Sequence, residues 1–148
     1  MNHARRALVN ALWLAASAFT LPTVAAPAEP VAAVDARAVR AVVEAQLAAF
    51  AADDAKRAFS YAAPSIRDMF GTPDRFLAMV RTSYPAVYRA AGAIFLAPER
   101  LQGQVLQGVQ LTDASGVLWI ALYQLERQPD KNWRISGCNV QPSSAKMT

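Results

Sequence analysis

The chain is 148 residues long and 54% apolar, with 15 basic and 11 acidic side chains, one histidine and one cysteine. The formal charge is +4, and a single cysteine excludes an internal disulfide. One domain with a substantial core is expected, because a chain of this size buries roughly two-thirds of the surface it exposes when unfolded.

Residues 1–25 read as an export leader. Arg5 and Arg6 form a basic start, "ALVNALWLAASAFTL" runs from Ala7 to Leu21 without an ionisable group, and "PTVAA" supplies the small residues of a cleavage site. Thr23 and Ala25 occupy the two small positions, which places the cut after Ala25. The apolar run is shorter than the ~20 residues that a membrane span needs, and it contains Asn10. Cleavage takes His3 with it and leaves a mature chain without histidine, of net charge +2. The expected location is the periplasm or the exterior, with no membrane span and no nucleic-acid partner.

"APAEPVAAV" is a Pro/Ala-rich lead-in, which makes residues 26–34 a linker before a domain over 35–140. In "DARAVRAVVEAQLAAFAA", Asp35 is the expected cap, and Val39, Val43, Leu47 and Phe50 lay one apolar stripe along a helix. "DDAKRAFSYAA" starts a second helix capped by Asp53 or Asp54. "PSIRDMFG" adds a short one between Pro64 and a left-handed Gly71. "TPDRFLAMVRTSY" combines a Thr72 cap, Pro73 in the first turn and Asp74 at the positive end, and Pro85 turns Tyr84 out of the helix.

From Ala93 the period changes to two. "AIFLAPERL" is a short apolar stretch broken by Pro98, "GQVLQGVQLTD" alternates, and "DASG" and "QPDKN" are turns around "VLWIALYQLER". The last strand, "WRISGCNV", puts Trp133 and Ile135 on one face and Arg134, Ser136, Cys138 and Val140 on the other if its alternation is unbroken. Residues 141–148 are a polar tail. The class is α+β: N-terminal helices packed on one face of an antiparallel sheet of three to four strands. The central strand is apolar on both faces from Val117 to Tyr123, so the face without helices is expected to meet a second subunit, a fold-back of the sheet or a ligand.

The segments "AFAADDAKRAFSYAAPSIRDMFG", "FGTPDRFLAMV" and "LWIALYQLERQPDKNWRISGCNV" resemble the exported bacterial family catalogued as domain of unknown function 4864, over about Val34 to Val140. That family resembles in turn the NTF2-like (cystatin-like) cone, in which helices lean on a curved sheet and leave a pocket between. The resemblance implies an architecture and no reaction, since that fold hosts enzymes, binders and accessory domains alike. The family's final turn usually carries a glycine; here it reads "DKN", and Asn132 is the residue expected to take the left-handed backbone.

The side chains able to carry chemistry are few. Cys138 lies in an apolar strand with no histidine to activate it, and on that strand Arg134 would be about 13 Å away. It reads as a small core hydrophobe. Asp53, Asp54 and Asp68 could serve as a base beside a tyrosine if buried, but sit where caps and wet helix faces belong. Tyr61, Tyr84, Tyr88, Trp119 and Tyr123 could form an aromatic wall for a small ligand, or simply pack. No metal-ligand pattern, phosphate-cradling loop or nucleophile elbow is present, so no metal or cofactor is expected. The reading is a non-enzymatic binding or interaction module, either for a small ligand or for an envelope protein, that could dimerise through its sheet face. An isomerase or dehydratase with a buried aspartate and tyrosine is the alternative.

Overall fold

The computed structural model describes residues 29–144, so the expected leader (residues 1–25) and the last four residues of the polar tail lie outside the described residues. Among the described residues, five helices precede most of the sheet: α1 (Ala33–Ala51), α2 (Ala55–Ser60), α3 (Pro64–Phe70), α4 (Pro73–Ser83) and α5 (Pro85–Tyr88). The strands are β1 (Glu29–Pro30), β2 (Gly92–Phe95), β3 (Glu99–Leu101), β4 (Gln104–Thr112), β5 (Leu118–Arg127) and β6 (Trp133–Pro142).

The α+β class with N-terminal helices is what the sequence pattern describes, but the antiparallel sheet is wider than three or four strands. Among the described residues it has six, ordered β1-β3-β4-β5-β6, with β2 also paired to β4. The extra strands come from the stretch broken at Pro98. Proline donates no backbone hydrogen bond, so the chain leaves the ladder there. Its two halves pair separately with the ends of β4, Phe95 opposite Val109 and Glu99 opposite Leu106. The lead-in contributes as well, with Glu29 and Pro30 opposite Arg100 and Glu99.

Helix α1 starts at Ala33, two residues before the expected cap, and Ala32 stands at its N-cap position. Asp35 instead lies in the first turn, where a carboxylate complements the helix dipole, and its Oδ2 accepts from the Arg100 guanidinium at 3.3 Å. The other caps follow the sequence. Asp54 accepts from the Arg57 amide, Thr72 accepts from the Arg75 amide, and Gly71 ends α3 at φ 75°.

The β4–β5 and β5–β6 hairpins each close on an aspartate, whereas the tight β3–β4 hairpin turns through Gln102 and Gly103 at φ 51° and 79°. Asp113 accepts from the Ser115 and Val117 amides, and Gly116 takes the left-handed position at φ 82°. In the final turn Asp130 accepts the Asn132 amide and side-chain Nδ2, so Asn132 is held in place. The left-handed residue is Lys131 at φ 70°, not Asn132. Lys131 occupies the fourth position of the turn, closed by its amide on the Gln128 carbonyl at 2.8 Å, where glycine is ordinarily favoured.

The core lies between the helices and the inner face of the sheet. Val39, Val43, Ala49 and Phe50 of α1, Phe76, Leu77 and Val80 of α4, and Val105, Val109, Leu111, Ala121 and Leu125 of the sheet are all buried. Strand β4 is buried at every second residue, as a strand covered on one face must be. The opposite face is uncovered in this single chain: Ile94 is 62% exposed, Leu96 47% and Leu122 40%.

Candidate functional site

A cavity of about 280 Å³ opens between α1, α3, α4 and the β5–β6 hairpin. Its wall includes Phe50 of α1, Ile66, Met69 and Phe70 of α3, Met79 of α4, Tyr84 at the end of α4, and Tyr123 and Cys138 of the sheet. No charged side chain lines it, and Gln46 is among its few polar groups. The Gln46 amide is itself committed, its Nε2 donating to the Ala58 carbonyl at 3.1 Å.

Two backbone devices create this space. The first is the edge of β6. Ile135 donates its amide to the Tyr61 carbonyl, and its own carbonyl accepts from Ala63 at 2.8 Å. That clamp delivers the chain to Pro64, where α3 begins. Helix α3 carries Ile66, Met69 and Phe70 to the cavity, and none of its residues is fully buried.

The second device is a bulge. Leu125 pairs with Ile135 but Gln124 pairs with Gly137, so Ser136 is an extra residue without a partner. One inserted residue reverses which face every later side chain takes. Trp133 and Ile135 face the core before the bulge, and Cys138 and Val140 face it after, opposite Tyr123 and Ala121. This corrects the unbroken alternation expected from the sequence, which put Cys138 across the sheet from Ile135. The bulge also separates Cys138 from the face of Arg134.

The cross-strand pair Tyr123–Cys138 is the most unusual feature of the wall. The Tyr123 hydroxyl is fully buried and finds no strong hydrogen-bond partner, only the weakly interacting Cys138 thiol beside it. Leaving such a group unsatisfied costs about 1–3 kcal/mol. Burial pushes the phenol well above its ordinary pKa, and the neighbouring thiol pushes it further. Burial likewise raises the Cys138 thiol to about 12, with the Tyr123 hydroxyl offsetting a little of that rise. Both groups therefore stay protonated at neutral pH, and Cys138 is no thiolate nucleophile.

The five aromatic residues singled out in the sequence are spread around the molecule. Tyr84 and Tyr123 line the cavity. Tyr61 lies at the surface end of α2 and accepts from Arg57 Nε at 3.4 Å. Trp119 packs on the core beside Leu111 and donates its indole N–H to Asp113 Oδ2 at 2.8 Å. Tyr88 donates to Asp53, whose other oxygen accepts from Arg89 at 2.7 Å. Arg89 also donates to the Phe50 and Ala51 carbonyls at 2.8 and 2.7 Å, so this trio fastens the C-terminal end of α1. The Tyr88 and Arg89 hydrogen bonds hold the Asp53 carboxyl below its ordinary value.

None of the three candidate acids reaches the cavity. Asp53 belongs to the Arg89 trio, Asp54 caps α2, and Asp68 is exposed on α3. Ile66, Met69, Phe70 and Met79 line the cavity but drew no attention in the sequence, because their spacing is that of ordinary packing. Among the described residues, no three His, Cys, Asp or Glu side chains are grouped to hold a metal ion. Nor is any described helix long and apolar enough to cross a membrane.

A family model described as a domain of unknown function (DUF4864) matches residues 32–148. No curated protein and no solved structure matches the chain.

Proposed function

The chain belongs to the DUF4864 family, and from that premise we propose that it is an exported, non-enzymatic module that holds a small apolar molecule between its helices and its sheet. The observation that carries this reading is the 280 Å³ cavity with no charged side chain in its wall. That size is near the lower end for ligand pockets, which are mostly apolar and largely preformed. An isomerase or dehydratase would need an acid in that wall, and the candidate acids lie elsewhere. The leader-like sequence of residues 1–25 supports export to the periplasm, which N-terminal sequencing of the secreted chain tests by finding Ala26 first. The cone-like arrangement of an NTF2-like fold would account for the position of the cavity.

Propylbenzene, titrated into the purified protein and followed by NMR, should bind saturably to the residues lining the cavity. Met79→Trp, which puts a larger ring into the space, should abolish that binding while the circular dichroism spectrum stays unchanged. Absence of saturable binding, or binding indifferent to Met79→Trp, would defeat the reading.

A second reading concerns the outer sheet face. Ile94, Leu96 and Leu122 are exposed there, close to Gly108 and Gln110, without a charged side chain among them. An uncharged patch can meet its own copy across a two-fold axis without like-charge repulsion, so this face supports a homodimer. Sedimentation should show concentration-dependent association that Leu122→Lys removes; a monomer at all concentrations would refute it.

A further inference from the structure

The polar side chains of the cavity wall narrow the kind of molecule it holds, an inference that rests on the binding reading above. They are Gln46, Tyr84, Tyr123 and Cys138. The Tyr123 hydroxyl is sealed from the space and lies against the Cys138 thiol. Tyr84 is only half-buried, within reach of water. Gln46 differs from all three. It is 3% exposed, and its Nε2 donates to the Ala58 carbonyl at 3.1 Å. That bond fixes which end of the amide is nitrogen and leaves the oxygen at the other end. Gln46 Oε1 accepts no hydrogen bond from a described residue, yet it is not sealed. Among the described residues, only the Tyr123 hydroxyl combines the lack of a bonded partner with essentially no accessible surface. The Gln46 oxygen therefore meets the open space that its side chain lines, which is this cavity.

The volume equals about nine water molecules at the ~30 Å³ each occupies in the liquid, so the occupant has about ten non-hydrogen atoms. No charged side chain lines the wall, so an ionic ligand would lose its hydration there without a counter-charge. A pure hydrocarbon would fill the space but cut the Gln46 oxygen off from water with nothing in exchange. We propose that the cavity takes a neutral, mainly hydrocarbon molecule with one hydrogen-bond donor, an alcohol or phenol hydroxyl, which donates to Gln46 Oε1. A ketone or ether offers that atom only lone pairs, which repel it.

Three probes of similar size test it: propylbenzene, 4-propylphenol with a donor hydroxyl, and propiophenone with an acceptor carbonyl. Gln46→Met keeps the length and apolar stem of the side chain and removes its amide. It should lower the ratio of 4-propylphenol to propylbenzene affinity about fivefold, the value of one ordinary hydrogen bond. The ratio of propiophenone to propylbenzene affinity should fall by less. A second readout uses the wild-type protein and needs no variant to fold. In NMR, the Gln46 side-chain carbonyl carbon should shift on saturation with 4-propylphenol and much less with propylbenzene.

An unchanged 4-propylphenol ratio in Gln46→Met, an equal or larger loss for propiophenone, or a Gln46 carbon that responds alike to 4-propylphenol and propylbenzene would each overturn the inference. If propylbenzene binds while the hydroxyl gains nothing, the binding reading survives and this refinement fails. If none of the three binds, both fail together.

Discussion

Helices α1 and α3 lean on the same sheet and are covered very differently. Five residues of α1 are buried, and its C-terminal carbonyls are held by Arg89. Helix α3 has no buried residue: Ile66 and Phe70 pack partly buried against the core, Met69 is 72% exposed, and all three line the cavity. The contrast shows that apolar side chains that touch a core are not thereby enclosed by it. At α1 the facing side chains close the gap; at α3 they stand around an empty volume. Stability is concentrated in the first helix, and room for a ligand lies under the second.

The sharpest way to break this contrast is the same substitution in both helices. Val43→Asp places a charge where the side chain is 0% exposed and should cost about 3–5 kcal/mol or abolish folding. Met69→Asp, at a position 72% exposed, should stay within about 0.5 kcal/mol of the wild type. Urea unfolding midpoints measure both, and similar losses would erase the distinction.

Cys138 sharpens the comparison from below α3. With its pKa raised to about 12, the thiol should react with iodoacetamide at pH 8 far more slowly than a free cysteine of pKa about 8.5. The sign of the linked stability effect follows from the same shift. A folded pKa above the unfolded one contributes stability that is complete below about pH 8.5. That contribution is lost as the pH rises toward about 12. Labelling at the rate of the denatured protein would mean that α3 leaves the sulfur open to solvent.

The smallest effect is expected at the exposed fastening of α1. Hydrogen bonds from Tyr88 and Arg89 depress the Asp53 pKa, so the carboxylate contributes stability above about pH 3.9. It loses that contribution as the pH falls through its lowered folded value. The difference in urea midpoint between wild type and Asp53→Asn should therefore be present at pH 5 and shrink toward pH 2.5. A difference that persisted in acid would remove the ion pair from the account of what holds α1.

Much of this fold was legible along the chain. The apolar stripe of α1, the Asp54 and Thr72 caps, the Gly71 stop and the two aspartate-bearing turns depend on residues within a few positions of one another. The site was much less legible. Tyr84 and Tyr123 line the cavity, whereas Tyr61, Tyr88 and Trp119 hydrogen-bond to Arg57, Asp53 and Asp113 away from it. An aromatic residue reads the same in sequence whether it faces a void, an arginine or a carboxylate.

The sequence by itself determined the α+β order, the helix ends and the shortage of reactive groups, because local capping, periodicity and composition need no distant partner. It could not determine the face taken by Cys138, because a single unpaired residue, Ser136, reverses the strand's alternation, and pairing is a property of two strands. Nor could it reveal the cavity or the burial of the Tyr123 hydroxyl against the Cys138 thiol. An empty volume belongs to no residue: it exists only where the clamp at Ile135 sets α3 above the sheet without closing the gap.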